Sequence, residues 1–577
     1  MKKYRVLLIT IAILLIASMT LSACQQAPAA EEAAPAEEEA APVEEEAAVE
    51  EEAAPAEEEE AAVEEEAAPE EEMVEQTPFV IAIPADPDTL DAAKTGSGVS
   101  DNVMAYIGVS LVYPDETGNV HPYAAESWDI SEDGTTYTFH LRDDMSFHNG
   151  APVTAQDFAF TYNRAIDPET ASPSTGPGLG DVASITALDD VTLEVVLNAP
   201  FFPFLFSISD PGYFMVVPQA AFEEMGAEEF GRSPISAGPY KFASWETGNK
   251  VVLERNPDFN WGPADVWENS GPWYIETIEF QVIPETATVT AGLESGDIDF
   301  FLGVEARDKE YLQSTGMVEV LGYGQPGLRP YITINVTHAP FDDLNVRKAF
   351  NLAVNREAML AILEQGNGVV QYGPMSPAQF GYWDGVEDIG YGYDVDTAAG
   401  FMEEAGYTKN ADGYWEKDGE IISLTLFTLP IESWVKAAEV LQQQYKDFGI
   451  EFTIQQEEQG VVIPKILGGD YDAAMFGMTY SHADVLWMMF HSSQQGGFNY
   501  AYVTNPELDE LLDLTRTTTD PVERQDYVDQ AQKIIVEQAY TIPLYAPINF
   551  VGLSTRVQNY RWSEQLLLLL DNATLAE

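Results

Sequence analysis

Cys24 is the only cysteine among 577 residues, and its neighbours assign it a chemistry. It closes the run Leu21-Ser22-Ala23-Cys24, which matches a lipobox: small side chains admit a signal peptidase, and the cysteine becomes the lipidated first residue of the mature chain. An unpaired thiol in an exported protein is otherwise a redox liability, and a single cysteine makes no internal disulfide. The six histidines, at 121, 140, 148, 338, 482 and 491, are scattered. His482 and His491 are nine apart on no recognisable metal motif, and His140 falls on the outward face of an alternating strand. There is no G-x-S-x-G elbow, H-E-x-x-H helix or P-loop, and with Cys24 committed no thiol nucleophile remains. The expectation is a protein with no catalytic residues, no metal and no cofactor.

The segments around Cys24 fit export. Lys2, Lys3 and Arg5 precede an apolar run from Val6 to Ala17, long enough for a signal-peptide core and short of the roughly 20 residues of a spanning helix. Residues 1–23 therefore read as a lipoprotein signal peptide, and stable anchoring at Cys24 needs more than one acyl chain. From Glu31 to Glu75 the sequence is almost entirely Glu, Ala, Pro and Val, with EEAA recurring at 31, 38, 45, 51, 59 and 65. The glutamates repel one another, alanines make a poor seam, and Pro35, Pro42, Pro55 and Pro69 interrupt a helix. Residues 24–77 read as a disordered tether, whose stretched reach is on the order of 180 Å at about 3.3 Å per residue.

Charge excludes one class of partner. The chain carries 97 acidic and 26 basic residues. Setting aside 22 Glu of the tether and three basic residues of the leader leaves 75 acidic and 23 basic, a net charge of −52. A phosphate backbone would be repelled, so no nucleic acid is expected. Such acidity is read as solubility, in a salty or hot habitat, rather than as a ligand preference.

Residues 78–577 alternate strand and helix signals without a linker long enough to separate independent domains. Phe79 to Ile83 reads as a first strand. In Ala124 to Arg164, Asp133-Gly134 is a tight turn and Tyr137, Phe139 and Leu141 alternate with Thr138, His140 and Arg142. Asn149-Gly150 turns again, and Thr154 with Asp157 forms a capping box before Phe158, Phe160 and Tyr162. Further along, Ala438, Leu441, Tyr445 and Phe448 recur at helical spacing, with Ser433 as cap and Gly449 as stop. Ile450, Phe452 and Ile454 then alternate as a strand. Asn505-Pro506 and Asp520-Pro521 each place a cap before Pro at the first helical position. Strands alternating with helices predict sheets flanked by helices.

The block from Ala124 to Arg164 resembles the signature of the family 5 extracellular solute-binding proteins, which deliver peptides and some other solutes to ABC importers. The resemblance continues through SAGPYKF at 236 to 242, NPDFN at 256 to 260 and GLESGDIDF at 292 to 300. It extends over 332 to 360, then EEAGY, QYKDFGIEF, YDAAMFG, NPELDELL and IPLY in the family's order. It implies an α/β, two-lobed periplasmic-binding-protein-like fold with an extra subdomain in the first lobe, of the family 5, cluster C type. Lobe I should span 78–325 and 541–577, with the extra subdomain about 119–235, and lobe II about 326–540. A solute should be buried in the interlobe cleft as the lobes close, and the closed monomer should dock on permease subunits of an ABC importer. The protein should sit outside the cytoplasmic membrane, held by its N-terminal lipid. A secreted hydrolase or an adhesion protein on an acidic stalk are the competing classes.

The resemblance also points to site residues. In peptide-binding members the segment after the YDA strand reads G-W-x-x-D-Y, and the Asp holds the peptide's α-amino group. Here Gly477 is followed by Met478, Thr479, Tyr480, Ser481, His482, Ala483 and Asp484, so Ser481 stands in the aspartate's place and cannot supply its charge. Gln459 corresponds to an aromatic that some relatives carry 19 residues upstream. Three solutes stay open. A peptide could anchor its ammonium on Asp484; an oligosaccharide could stack on Tyr480, Trp487, Trp434 and Trp383; a metal chelate or other cation could use His482 or His491. The loop Pro84 to Leu90 lies beside the cleft in this family, which adds Asp86, Asp88 and Thr89 as candidates, against the plainer role of forming the turn.

Overall fold

The computed structural model describes residues 77–563 and 567–576. The signal peptide, Cys24 and all but the last residue of the tether lie outside the described residues. Val74–Glu577 forms one compact unit, and it is organised by two large sheets. The first runs in the order Val318–Gly324, Tyr545–Ser554, Phe300–Val304, Phe79–Ile83, Thr277–Val282, Lys250–Arg255, Tyr240–Glu246, with Gly368–Val370 pairing the near end of Tyr545–Ser554. The second runs Glu451–Gln456, Ser423–Thr428, Ala473–Met478, Leu328–Ile334, Thr541–Pro543.

Period-two alternation explains the two cores of the second sheet. On Leu328–Ile334, Ile332 and Ile334 enter one cluster with Leu426 and Met475, while Tyr331 faces the other with Phe427, Ala474 and Phe476. The helix Glu432–Phe448 covers the first of these faces with Leu441, Tyr445 and Phe448. It ends at Gly449 with φ +100, as expected, but it starts two residues before Trp434. Ser433 lies inside its first turn rather than at the cap, because Ile431 already holds the extended backbone of that position.

The expected extra subdomain holds a four-stranded antiparallel sheet, Ala125–Ile130, Thr136–Leu141, Thr192–Leu197, Val182–Asp189. Tyr137, Phe139 and Leu141 are buried; His140 points out and meets Asp129 at 2.9 Å. Thr154 caps the helix Ala155–Ile166, its N–H and hydroxyl donating to Asp157 at 3.0 and 2.7 Å. This sheet has no core of its own: Phe139, Phe158 and Leu193 share one cluster with Phe79 and Ile278 of the first large sheet.

The chain passes from the first sheet to the second through Gln325-Pro326-Gly327 and returns at Leu544. The return therefore falls later than the expected 541, because Thr541–Pro543 still pairs with Leu328–Ile334. The Gly368–Val370 strand, placed by sequence in lobe II, pairs instead in the first sheet. Gly327 has φ +111, and a Cβ there would stand 2.0 Å from the Met478 carbonyl oxygen. Gly327→Ala is expected to lower the unfolding free energy by about 2 kcal/mol or more, from strain plus a backbone clash, as read in urea denaturation.

Candidate functional site

The segment 478–484 leaves the second sheet where Met478 pairs with Leu328. It is braced from one side. The Phe380 N–H donates to the Ser481 carbonyl at 2.9 Å, and Gln379 Nε2 donates to the Tyr480 carbonyl at 2.8 Å. That brace is itself tied down, since Gln532 Nε2 from the helix Pro521–Glu537 donates to the Gly381 carbonyl at 2.9 Å. The side chains of Thr479 and Ser481 are left exposed, and Tyr480 is half-buried.

His482 turns inward, 9% exposed. The Tyr480 ring meets it edge-on at 4.7 Å, and Phe206, from the short helix Phe204–Ser207 of lobe I, meets it at 5.3 Å. Phe206 also packs on Phe380 at 5.2 Å. Burial, then the nearby Arg524 and Arg516, push the imidazole down to about 3. The ring is neutral, and its Nδ1 accepts the Asp484 N–H at 3.3 Å.

Asp484 is 4% exposed and stands 2.9 Å from Arg516 Nε as an ion pair. Burial raises its pKa, and the charges of Arg516 and Arg524 oppose the rise. Arg516, in the last turn of the helix Pro506–Thr517, lies over Trp487 at 4.0 Å and over Phe201 of lobe I at 4.9 Å. Its carbonyl accepts the Phe202 N–H at 2.9 Å. Arg524 covers Phe202 at 4.2 Å, and burial pulls its guanidinium down to about 10. A cavity of about 330 Å³ adjoins this contact, lined by Tyr137, Phe201, Leu205 and Phe206 from one side and by Arg516 and Thr519 from the other.

Asp484 is thus occupied: a ligand ammonium would have to displace a guanidinium from it. The Pro84 to Leu90 loop is also internally satisfied. Asp86 accepts from Trp245 Nε1 at 3.0 Å and from the Gly248 N–H at 2.8 Å. Asp88 accepts from the hydroxyls of Thr95 and Ser100, both at 2.6 Å, and these bonds hold its pKa below the usual value although burial acts the other way. Thr89 Oγ1 reaches the Gly231 carbonyl at 3.4 Å. Gln459 is exposed at the start of the helix Gln459–Leu467. Trp487 donates to Asp513 at 3.1 Å and stacks on His491 at 5.1 Å. Trp434 is buried in the lobe II core, where no sugar ring could reach its face.

Sequence reasoning missed Phe201, Phe202, Phe206, Phe380, Arg516 and Arg524. One signal was available: four phenylalanines within Phe201 to Phe206 on a segment with no strand or helix period. No group of three His, Cys, Asp or Glu side chains arranged to hold a metal occurs among the described residues, and no helix there is long and apolar enough to cross a membrane.

Residues 119–500 match the family model "Bacterial extracellular solute-binding proteins, family 5 Middle". Di/tripeptide-binding protein 1 of Pseudomonas aeruginosa is 26% identical over 508 residues, covering 83% of this chain and 90% of that protein. The oligopeptide-binding protein AppA of Bacillus subtilis is 28% identical over 504 residues, covering 84% and 88%. The structure of AppA with a nonapeptide superposes with a TM-score of 0.66 at 26% identity, covering 87% of this chain and 99% of that one. HbpA2 of Haemophilus parasuis superposes with a TM-score of 0.76 at 23% identity, covering 87% and 100%.

The buried imidazoles make stability depend on pH. His148, whose Nε2 is 3.1 Å from the Gly238 carbonyl, is pushed by burial down to about 4, and His482 to about 3. Below 6.5 the unfolded chain takes up protons that the folded chain refuses, so stability is full above that pH and falls as pH drops toward 4. Each histidine should cost up to about 1.4 kcal/mol per pH unit in that window. Urea midpoints at pH 7, 6 and 5 should fall in that order, and His482→Gln should make the slope shallower.

Proposed function

Because the chain belongs to the bacterial extracellular solute-binding proteins of family 5, we propose that it is the binding component of an ABC importer that captures a peptide between its two lobes and delivers it to a permease. The observation that carries the site is the meeting of the two lobes there: His482 of the 478–484 segment packs on Phe206, and the neighbouring Arg516 and Arg524 lie over Phe201 and Phe202. Aromatic walls with a few fixed polar groups bind by desolvating a solute while orienting it, and two lobes joined by short crossings can close on it. Thr479, Tyr480 and Ser481 are the candidate contacts at the exposed rim. AppA and Di/tripeptide-binding protein 1 support a peptide over a sugar. The burial of Trp434 removes one of the expected sugar platforms. No covalent chemistry is needed for this role.

The chain is also proposed to be lipidated at Cys24 and tethered outside the cytoplasmic membrane through residues 24–77. Three measurements check these readings. Ligand that co-purifies with the protein should be peptidic by mass spectrometry. A peptide supplied at 100 times its dissociation constant should add about 2.7 kcal/mol of stability; a thermal-shift response to oligosaccharides alone would overturn the peptide assignment. Cys24→Ser should abolish acyl labelling and move the protein from the membrane fraction to the soluble one.

A further inference from the structure

The cavity between Phe206 and Arg516 is free of carboxylates in an acidic chain and lies where the two lobes meet. The chain holds 97 acidic residues, yet none lines this cavity, and its single charged lining residue is Arg516. A larger cavity of about 570 Å³ in lobe II is bordered by Asp342, Asp343, Asp418, Glu420 and Asp472 together with Lys417, whereas one of about 510 Å³ beside Lys309 also lacks carboxylates but does not reach the 478–484 region. Around Arg516 the local balance is also positive, with two guanidiniums, Arg516 and Arg524, facing the one buried carboxylate of Asp484. The nearest carboxylates along the same helix are turned to other partners: Asp509 accepts from Ser492 and Asp513 from Trp487, and His491 lies 4.0 and 3.4 Å from them. His482 adds no charge, since its ring is neutral. Asp484 is approached by Arg516 Nε, at 2.9 Å, and Arg516 lines the cavity, so the far side of its planar fork can be offered to a carboxylate.

We propose that this cavity is a carboxylate subsite, taking the bulky apolar end of a solute while its carboxylate pairs with Arg516. Resting on the solute-binding reading above, this makes the recognised end of a captured peptide its C-terminal residue rather than its ammonium. The walls suit such a group: Tyr137, Phe201, Leu205 and Phe206 supply apolar surface, and the lining spans both lobes, so occupation would stabilise their contact.

Calorimetric titration of the full-length protein with Ala-Ala-Ala-Phe, its C-terminal amide, its N-acetyl form and Ala-Ala-Ala-Gly tests this. Amidation should weaken binding at least tenfold, acetylation less than threefold, and Phe to Gly several-fold. In Arg516→Gln the amidation penalty should disappear. Thr519→Trp, at an exposed position on the cavity rim, should fold normally and erase the preference for Phe over Gly. A larger penalty for acetylation than for amidation, or an amidation penalty that survives Arg516→Gln, overturns the proposal. 3-Phenylpropionate and 3-phenylpropanol provide an arm free of peptide. If no tetrapeptide binds but phenylpropionate alone raises the melting temperature, in wild type and not in Thr519→Trp, the subsite stands and the peptide reading falls. If no carboxylate probe binds, the subsite falls whatever co-purifies.

Discussion

Burying a carboxylate in a chain so short of cations is the constraint around which this structure is built. An unpaired buried charge costs several kcal/mol, so each deep aspartate needs a guanidinium or must give up its charge. Asp91 meets Arg164, Asp299 meets Arg556, Asp571 meets Arg561 and Asp484 meets Arg516; all four aspartates are at most 4% exposed. Three of the pairs join segments far apart in sequence, while Arg561 and Asp571 are ten positions apart. Asp299 with Arg556 shows the consequence, since the guanidinium also bonds Thr77 and Pro78 and so holds the start of the first strand against the returning C-terminal segment. Asp101 and Asp210 have each other instead of an arginine, and burial with their mutual repulsion raises Asp101 well above the ordinary carboxylate range.

Among these pairs, Asp484 with Arg516 differs in where it sits. The others fasten parts of the first lobe, whereas this one lies at the contact of the two lobes and presents its arginine to aromatics across the boundary. The elements that position it follow from packing. Met478 is placed by its register with Leu328, the loop beyond it is held by Gln379 and Phe380, and those in turn by Gln525 and Gln532 of the helix Pro521–Glu537. The same helix starts at the Asp520 cap and carries Arg524, so the two arginines are set by adjoining helices packed on each other. Gly327, at the crossing between sheets, lies against the Met478 carbonyl, which ties the position of the loop to the passage between lobes.

Much of this fold was legible because local rules and tertiary packing agree. The alternation of Tyr137, Phe139 and Leu141, the Thr154–Asp157 box, and the Asn505 and Asp520 caps all read correctly, since turns and caps are short-range chemistry. The reading of Ser433 as a cap failed because a helix will start earlier when the preceding backbone already has the right geometry. That Thr541–Pro543 pairs in the second sheet was not legible, because a three-residue strand leaves no periodic signal of which sheet it joins.

The sequence by itself determined several strands, turns and helix caps, their order and the family resemblance. These depend on residue spacing along one stretch of chain. Only the tertiary structure decided what Asp484 can do. From sequence it was a free carboxylate for an ammonium; in the fold it belongs to Arg516, 32 positions away, and Phe201, over which that arginine lies, comes 283 positions before it. Pairing of buried charge and the meeting of two lobes are long-range facts, and a charge's availability depends on whom it meets.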